Sequence, residues 1–211
     1  DEMRRNGNAP KSVSFGPVVP VINKFAPRFM KAAEKYTGTD DALPFLDWCL
    51  FTDRTPGNKT TLAALETVLA KNLECKGLAQ SVLRFPQLRG VLGDRYHDAL
   101  LTILEGSPHA EVRAAVYFAR AESTKMAPGG DDAPEVVAAA RAAAIADYQT
   151  ALKLAPKATF ADRARGALFG ISSLQVGMKA PEIEGEDLDG DAFKLSDYTG
   201  KVIMLSFWGD W

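Results

Sequence analysis

The side chains best suited to nucleophilic or soft-metal chemistry are few: Cys49, Cys75, His97 and His109. The two cysteines stand 26 residues apart, so they do not make a C-x-x-C pair with a thiolate activated at a helix N-terminus. Cys49 follows Trp48 on an apolar helix face, and Cys75 falls at a helix end. Both read as unpaired, buried small hydrophobes. A structural disulfide stays open should their Cα atoms approach within about 7 Å. His97 and His109 have no Cys or His at ligand spacing and read as helix-surface residues. No G-x-S-x-G, P-loop or G-x-G-x-x-G occurs. No cofactor and no metal is expected.

The elements that must position any chemistry read as helices over most of the chain. Residues 1–16 are polar and read as a disordered leader. Pro17, Pro20 and Pro27 punctuate the start of a first helix with Phe25, Phe29, Met30 and Ala33 at helical spacing. Helices follow over 41–52 and, after the Thr55–Asn58 turn, over 58–74, with Leu62, Leu65, Leu69 and Leu73 repeating every three or four residues. A short helix at 78–85 is broken by Pro86. Asp94 caps the next, which Gly106 closes. Ser107-Pro108 gives an N-cap and a first helical position for a helix to about Met126. Pro128–Asp132 is the loosest loop. Helices over 134–155 and 158–174 complete the series. No repeat signature recurs cleanly. The expected fold class is mainly α: successive helical hairpins, with solenoid-like stacking left open, over residues 17–174.

Strand signals begin only at Glu182. Leu188-Asp-Gly190 is a turn between two short alternating runs, the mark of a hairpin. Ser196-Asp197 starts a short helical turn closed by Gly200. Lys201 to Trp208 is a nearly continuous apolar run of strand length, suited to a strand buried on both faces.

This last stretch resembles the start of a thioredoxin-fold redoxin, of the alkyl hydroperoxide reductase/thiol-specific antioxidant and TlpA-like group. The pattern G-x-x-A-P, D-x-x-G, L-S-D-x-x-G-K and an apolar strand ending F-W-x-x-W is met by Gly177, Ala180, Pro181, Asp187, Gly190, Leu195, Ser196, Asp197, Gly200, Lys201, Phe207, Trp208 and Trp211. The resemblance implies that the next residue is the first Cys of C-x-x-C. Residues 175–211 are therefore expected to be a truncated thioredoxin-like domain: the incomplete first β-hairpin and strand, without the redox pair. Helical domains precede redoxins in this family, which makes the arrangement here plausible.

The resemblance implies dithiol exchange with protein disulfide or dithiol partners in the full-length protein, and a bacterial envelope or exported location. No catalytic residue is expected within the chain itself. Trp208, Gly209, Asp210 and Trp211 would flank the dithiol. Trp208 itself reads first as core packing. Trp211 would shape the partner-docking surface, and Asp210 would raise the thiol pKa. A peroxiredoxin-type peroxidase fits less well, because Trp208-Gly-Asp-Trp211 lacks the Pro- and Thr-containing loop before a peroxidatic Cys. A non-enzymatic helical interaction module is the third reading.

Composition sets outer bounds. An apolar fraction of 46% and a charged fraction of 25% are ordinary for a globular protein. A net charge of −2 gives no ground for nucleic acid or an anionic membrane. Charge is uneven: residues 176–211 carry 8 acids and 3 bases, the remainder 19 acids and 22 bases. This supports a boundary near Val176. No apolar run approaches a membrane span. No signal peptide is visible and the first residue is not Met, as in a mature or trimmed chain. The lone strand 201–208 would leave backbone groups unpaired, so pairing with a second copy, or cover from the helical domain, is expected.

Overall fold

The computed structural model describes residues 19–125 and 132–209. The leader, Pro17, most of the 128–132 loop, Asp210 and Trp211 lie outside them. Nine α-helices are present among the described residues: α1 (Val19–Lys35), α2 (Leu43–Phe51), α3 (Lys59–Lys71), α4 (Leu78–Val82), α5 (Arg89–Leu92), α6 (Arg95–Gly106), α7 (Ala110–Lys125), α8 (Pro134–Leu154) and α9 (Ala161–Ser173). Short 3₁₀ turns stand at Asp40–Ala42 and Phe85–Leu88. After α9 come β1 (Glu184–Glu186), β2 (Ala192–Lys194) and a 3₁₀ turn at Leu195–Tyr198. The chain is mainly α with an incomplete β part at its C-terminal end.

Local chemistry explains most boundaries. The Asn58 side chain accepts a hydrogen bond from the Thr61 amide at 3.0 Å, capping α3. Pro134 opens α8 at a position where a missing N–H costs nothing. Three expectations are displaced. α1 begins before Pro20 and continues through Pro27, so these prolines lie within the helix instead of ahead of it. Ser107 does not cap α7. It terminates α6, donating its amide to the Ile103 carbonyl at 3.0 Å, and its hydroxyl is buried without a partner among the described residues. α7 starts three residues later, at Ala110. Asp94 stands at the N-cap position of α6 but makes no side-chain cap.

One hydrophobic core joins the helices and runs in sequence from Ala33 to Ile171. Leu46, Leu50, Leu65, Leu78, Phe85, Leu88, Tyr96, Leu100, Ile103, Phe118 and Tyr148 are fully enclosed. α7 packs along α8, and α8 against α9; α1 pairs with α2 and α2 with α3. α4 also reaches α7, and α3 reaches α6. A strict solenoid touches only neighbouring repeats, so these skipped contacts describe a packed bundle. No described residue after Ile171 enters the core.

Polar groups inside the bundle are mostly matched. Tyr148 donates to the Glu122 carboxylate, and Arg163 lies 3.5 Å from the other oxygen of Glu122. Arg120 pairs with Asp147 at 3.1 Å. Tyr96 shares a hydrogen bond with the Ser123 hydroxyl.

Candidate functional site

The candidate site is the C-terminal unit, built on backbone geometry and three carboxylates. β1 and β2 pair antiparallel, with Gly185 opposite Phe193. Asp187 makes the turn: its Oδ1 accepts from the amides of Asp189 at 2.9 Å and Asp191 at 3.0 Å. Gly190 sits at φ 87° and Gly200 at φ 86°, a left-handed conformation that favours glycine. Glu182 joins the preceding loop to the 3₁₀ turn, its Oε1 accepting from the amides of Ser196 at 3.0 Å and Ile183 at 3.2 Å. These bonds, with the Ser196 side chain first, hold the Glu182 carboxyl below the usual range. The Asp197 carboxylate accepts from the Lys194 amide at 3.0 Å. The Lys201 ammonium lies 5.6 Å from the centre of the Tyr198 ring.

Six of the motif residues surround one cleft of about 580 Å³: Ala180, Pro181, Leu195, Ser196, Gly200 and Lys201, together with Glu182, Tyr198, Ile203 and Leu205. Asp187 instead lines an adjoining apolar cavity of about 300 Å³ with Ile183, Phe193 and Tyr198. Gly177 stands in the turn after α9 and Gly190 at the hairpin tip, away from the cleft. The segment 201–208 is not a strand and has no ladder partner among the described residues. Its exposure still alternates: Val202 and Met204 are 105% and 93% exposed, Ile203 and Leu205 42% and 51%. One face therefore turns toward the cleft and the other is open. Phe207 and Trp208 are 84% and 86% exposed. Trp208 was expected in a core; no strand lies beside it among the described residues, and it stays in solvent. Gly209 is also exposed, and Asp210 and Trp211 lie outside the described residues.

The cleft contains no cysteine or histidine. Cys49 and Cys75 are in the helical region, both buried and both free. Burial pushes the Cys49 thiol up to about 11. It also raises Cys75, against the lowering effect of its bond to Asn72. Neither has the electropositive, exposed setting of a reactive thiol. His109 is not on a helix surface: it lies between α6 and α7, its Nε2 at 2.8 Å from the Glu74 carbonyl. His97 packs its ring edge against Tyr96, centroids 5.3 Å apart.

A second surface escaped the sequence reading. Lys24, Arg28, Lys31 and Lys35 recur at steps of four, three and four along α1, so they share one stripe. All four are exposed, and none is in an ion pair among the described residues. Beside the stripe, Phe25, Arg28, Phe29, Ala32 and Phe45 line an open groove of about 270 Å³. Phe29 stacks on Trp48 with centroids 4.2 Å apart, which fixes the groove floor. The 4-3-4 spacing was the available signal; the small net charge concealed it.

Comparison with known proteins gives partial matches. The chain is 45% identical over 40 residues to the thiol-disulfide oxidoreductase ResA of Geobacillus kaustophilus (strain HTA426), covering 19% of this chain and 23% of that one. It is 42% identical over 40 residues to the protein of the same name from Geobacillus thermodenitrificans (strain NG80-2), with the same coverage. It is 42% identical over 38 residues to that of Bacillus anthracis, covering 18% and 22%. The chain thus spans about a quarter of the length of the curated relatives it matches. No family model matches, and no solved structure matches.

Proposed function

We propose that this chain supplies the helical region and the leading elements of a thioredoxin-like thiol-disulfide oxidoreductase of the TlpA-like group, working on protein disulfides or dithiols in a bacterial envelope or outside the cell. The observation that carries the reading is the gathering of Ala180, Pro181, Leu195, Ser196, Gly200 and Lys201 around one cleft, under an apolar segment that ends in Phe207-Trp208. Partial identity to thiol-disulfide oxidoreductases, over a length close to that of the motif-bearing stretch, supports it. On this reading residues 17–174 and 175–211 are separate domains. Trp208, Gly209, Asp210 and Trp211 flank a C-x-x-C pair that follows Trp211.

In such a centre the first thiolate attacks a partner disulfide and forms a mixed disulfide, and the second cysteine releases the reduced partner. The Asp210 carboxylate would raise the first thiol's pKa. The lead Trp208-Gly-Asp-Trp211 favours this exchange over peroxide reduction. The decisive test is to read the coding frame past Trp211 and assay the longer protein for insulin reduction. A C-x-x-C directly after Trp211, with turnover lost when its first Cys becomes Ser, is the expected result. A frame that continues without the pair would overturn the proposal. The 211-residue chain alone should show no turnover.

A second reading rests on the location of the core: among the described residues the helical bundle holds all the enclosed side chains, and it would serve as a binding module. The open face of 201–208 would be covered either by further strands of the redoxin unit or by a second copy pairing through the same segment. Changing Met204 to Lys should lower any self-association formed that way, as read by light scattering.

A further inference from the structure

The hairpin tip and the α1 stripe are complementary surfaces on opposite ends of the sequence. The tip presents Leu188, 106% exposed, between the carboxylates of Glu186, Asp187, Asp189 and Asp191, all exposed. It is pre-shaped. Besides the two bonds to Asp187 Oδ1, the Asp187 amide donates to the Asp191 carbonyl at 2.9 Å and the Gly190 amide to the Asp187 carbonyl at 3.1 Å. A tip fixed in this way loses little freedom on docking. The α1 groove offers what such a knob lacks: aromatic walls at Phe25, Phe29 and Phe45, with Arg28 in its lining and, on the same helix stripe as Arg28, Lys24, Lys31 and Lys35, none of them in an ion pair among the described residues. Within one chain the structure holds Leu188 in solvent.

We infer that two copies of this chain associate by exchanging tips, the Leu188 side chain of each copy entering the Phe25–Phe29–Phe45 groove of the other while Glu186 and Asp189 face Lys24, Arg28 and Lys31. The contact is isologous, so two exchanges close a twofold pair and no surface is left to extend it. Each exchange is small and mostly electrostatic, well below a standard interface in area. The association is therefore weak and salt-sensitive. At 1 M salt the Debye length falls to about 3 Å, and the charge attraction is screened.

Sedimentation velocity on the full 211-residue chain tests this at low and high salt. A monomer–dimer equilibrium at low salt that shifts to monomer at 1 M salt is expected. Two charge-reversed chains then identify the surface: Lys24→Glu/Arg28→Glu/Lys31→Glu, and Glu186→Lys/Asp189→Lys. Each alone should be monomeric, because its own tip and stripe now repel. Mixed together they should re-form the dimer, because a reversed stripe meets a reversed tip and the second contact is unchanged. Restoration on mixing also excludes misfolding as the cause of the loss. A monomer at every concentration overturns the inference. So does a dimer that survives high salt or either reversal, since pairing through residues 201–208 would behave that way.

Discussion

The helical region and the C-terminal unit are held together by different physics. In the helices, stability comes from apolar side chains removed from water, about 25 cal/mol for each Å² buried. Phe118 shows the pattern: fully enclosed, it meets Tyr148 edge-on at 5.7 Å and Phe160 at 5.3 Å, with the Arg163 guanidinium 4.5 Å from its ring centre. In residues 175–209 no described side chain is buried. That unit keeps its shape through local hydrogen bonds: the Asp187 turn, the Asp197 bond and the Glu182 staple. Exposed bonds of that kind contribute little, because water competes for every donor and acceptor. One region is thus a cohesive core, and the other a hydrogen-bonded unit with an exposed apolar face.

The sharpest way to break this contrast is to remove one phenylalanine from each region. Phe118→Ala should cost about 3–5 kcal/mol by lost burial and cavity formation, readable as a large fall in the urea midpoint. Phe207→Ala should leave the midpoint unchanged. A comparable loss from both would mean that the C-terminal segment is packed in solution.

Thiol labelling sharpens it next. Cys49 and Cys75 are buried, and burial raises both pKa values. A disulfide-exchange reagent at pH 8 should react with the native chain at least about tenfold more slowly than with the unfolded one, because only the exposed thiolate reacts. Fast native labelling of either thiol would show that the bundle opens around it.

Two cap positions give a smaller effect. Asn58→Ala removes the acceptor for the Thr61 amide and the bond from Asn58 Nδ2 to Asp53, and should cost about 1 kcal/mol. Ser107→Ala should be neutral or stabilising, because it deletes a buried hydroxyl that has no partner among the described residues. A cost of about 1 kcal/mol at Ser107 would restore its role as the N-cap of α7.

These two residues also show how far the sequence could be read. Helix existence was legible, because apolar residues recur at helical spacing and caps such as Asn58 act locally. The placement of Ser107 was not. Ser-Pro ahead of a helix is a good N-cap signal, but here the chain needs three more residues to turn from α6 into α7, with His109 anchored on the Glu74 carbonyl. Proline at position 27 signals a break from sequence alone; α1 tolerates it because Ala26 and Ala33 still seat the helix against the core. At the C-terminal end the hairpin and its turn were legible from Leu188-Asp-Gly190. Whether 201–208 becomes a strand depends on partners outside the segment, which no local pattern encodes. The Glu182 staple was invisible for a similar reason: its donor at Ser196 lies 14 residues away.

The smallest effect is also the most local, and its sign follows burial: buried carboxyls of the bundle act one way, exposed hydrogen-bonded ones the other. Burial raises the carboxyls of Asp47 and Asp147, outweighing the lowering by Ser81 and Arg84 for the first and by Arg120 for the second. A carboxyl whose folded pKa lies above its unfolded value is penalised when ionised. The bundle should therefore gain stability from these two groups as pH falls from neutral toward their raised values. Asp53, held low by Thr55, acts the other way in the same region. Glu182 is lowered, so its contribution is present above the unfolded value of about 4.3 and is lost as pH falls through its folded pKa. Amide chemical shifts separate the two behaviours. The Ser196 amide should titrate below pH 5 with loss of exchange protection, while core amides of α7 stay protected. In Glu182→Gln the Ser196 titration should vanish and the thermal midpoint should stay nearly unchanged, because the carboxylate and its bonds are open to water. A drop of several degrees would show that the staple supports the helical bundle as well, and the two regions would then be one cooperative unit.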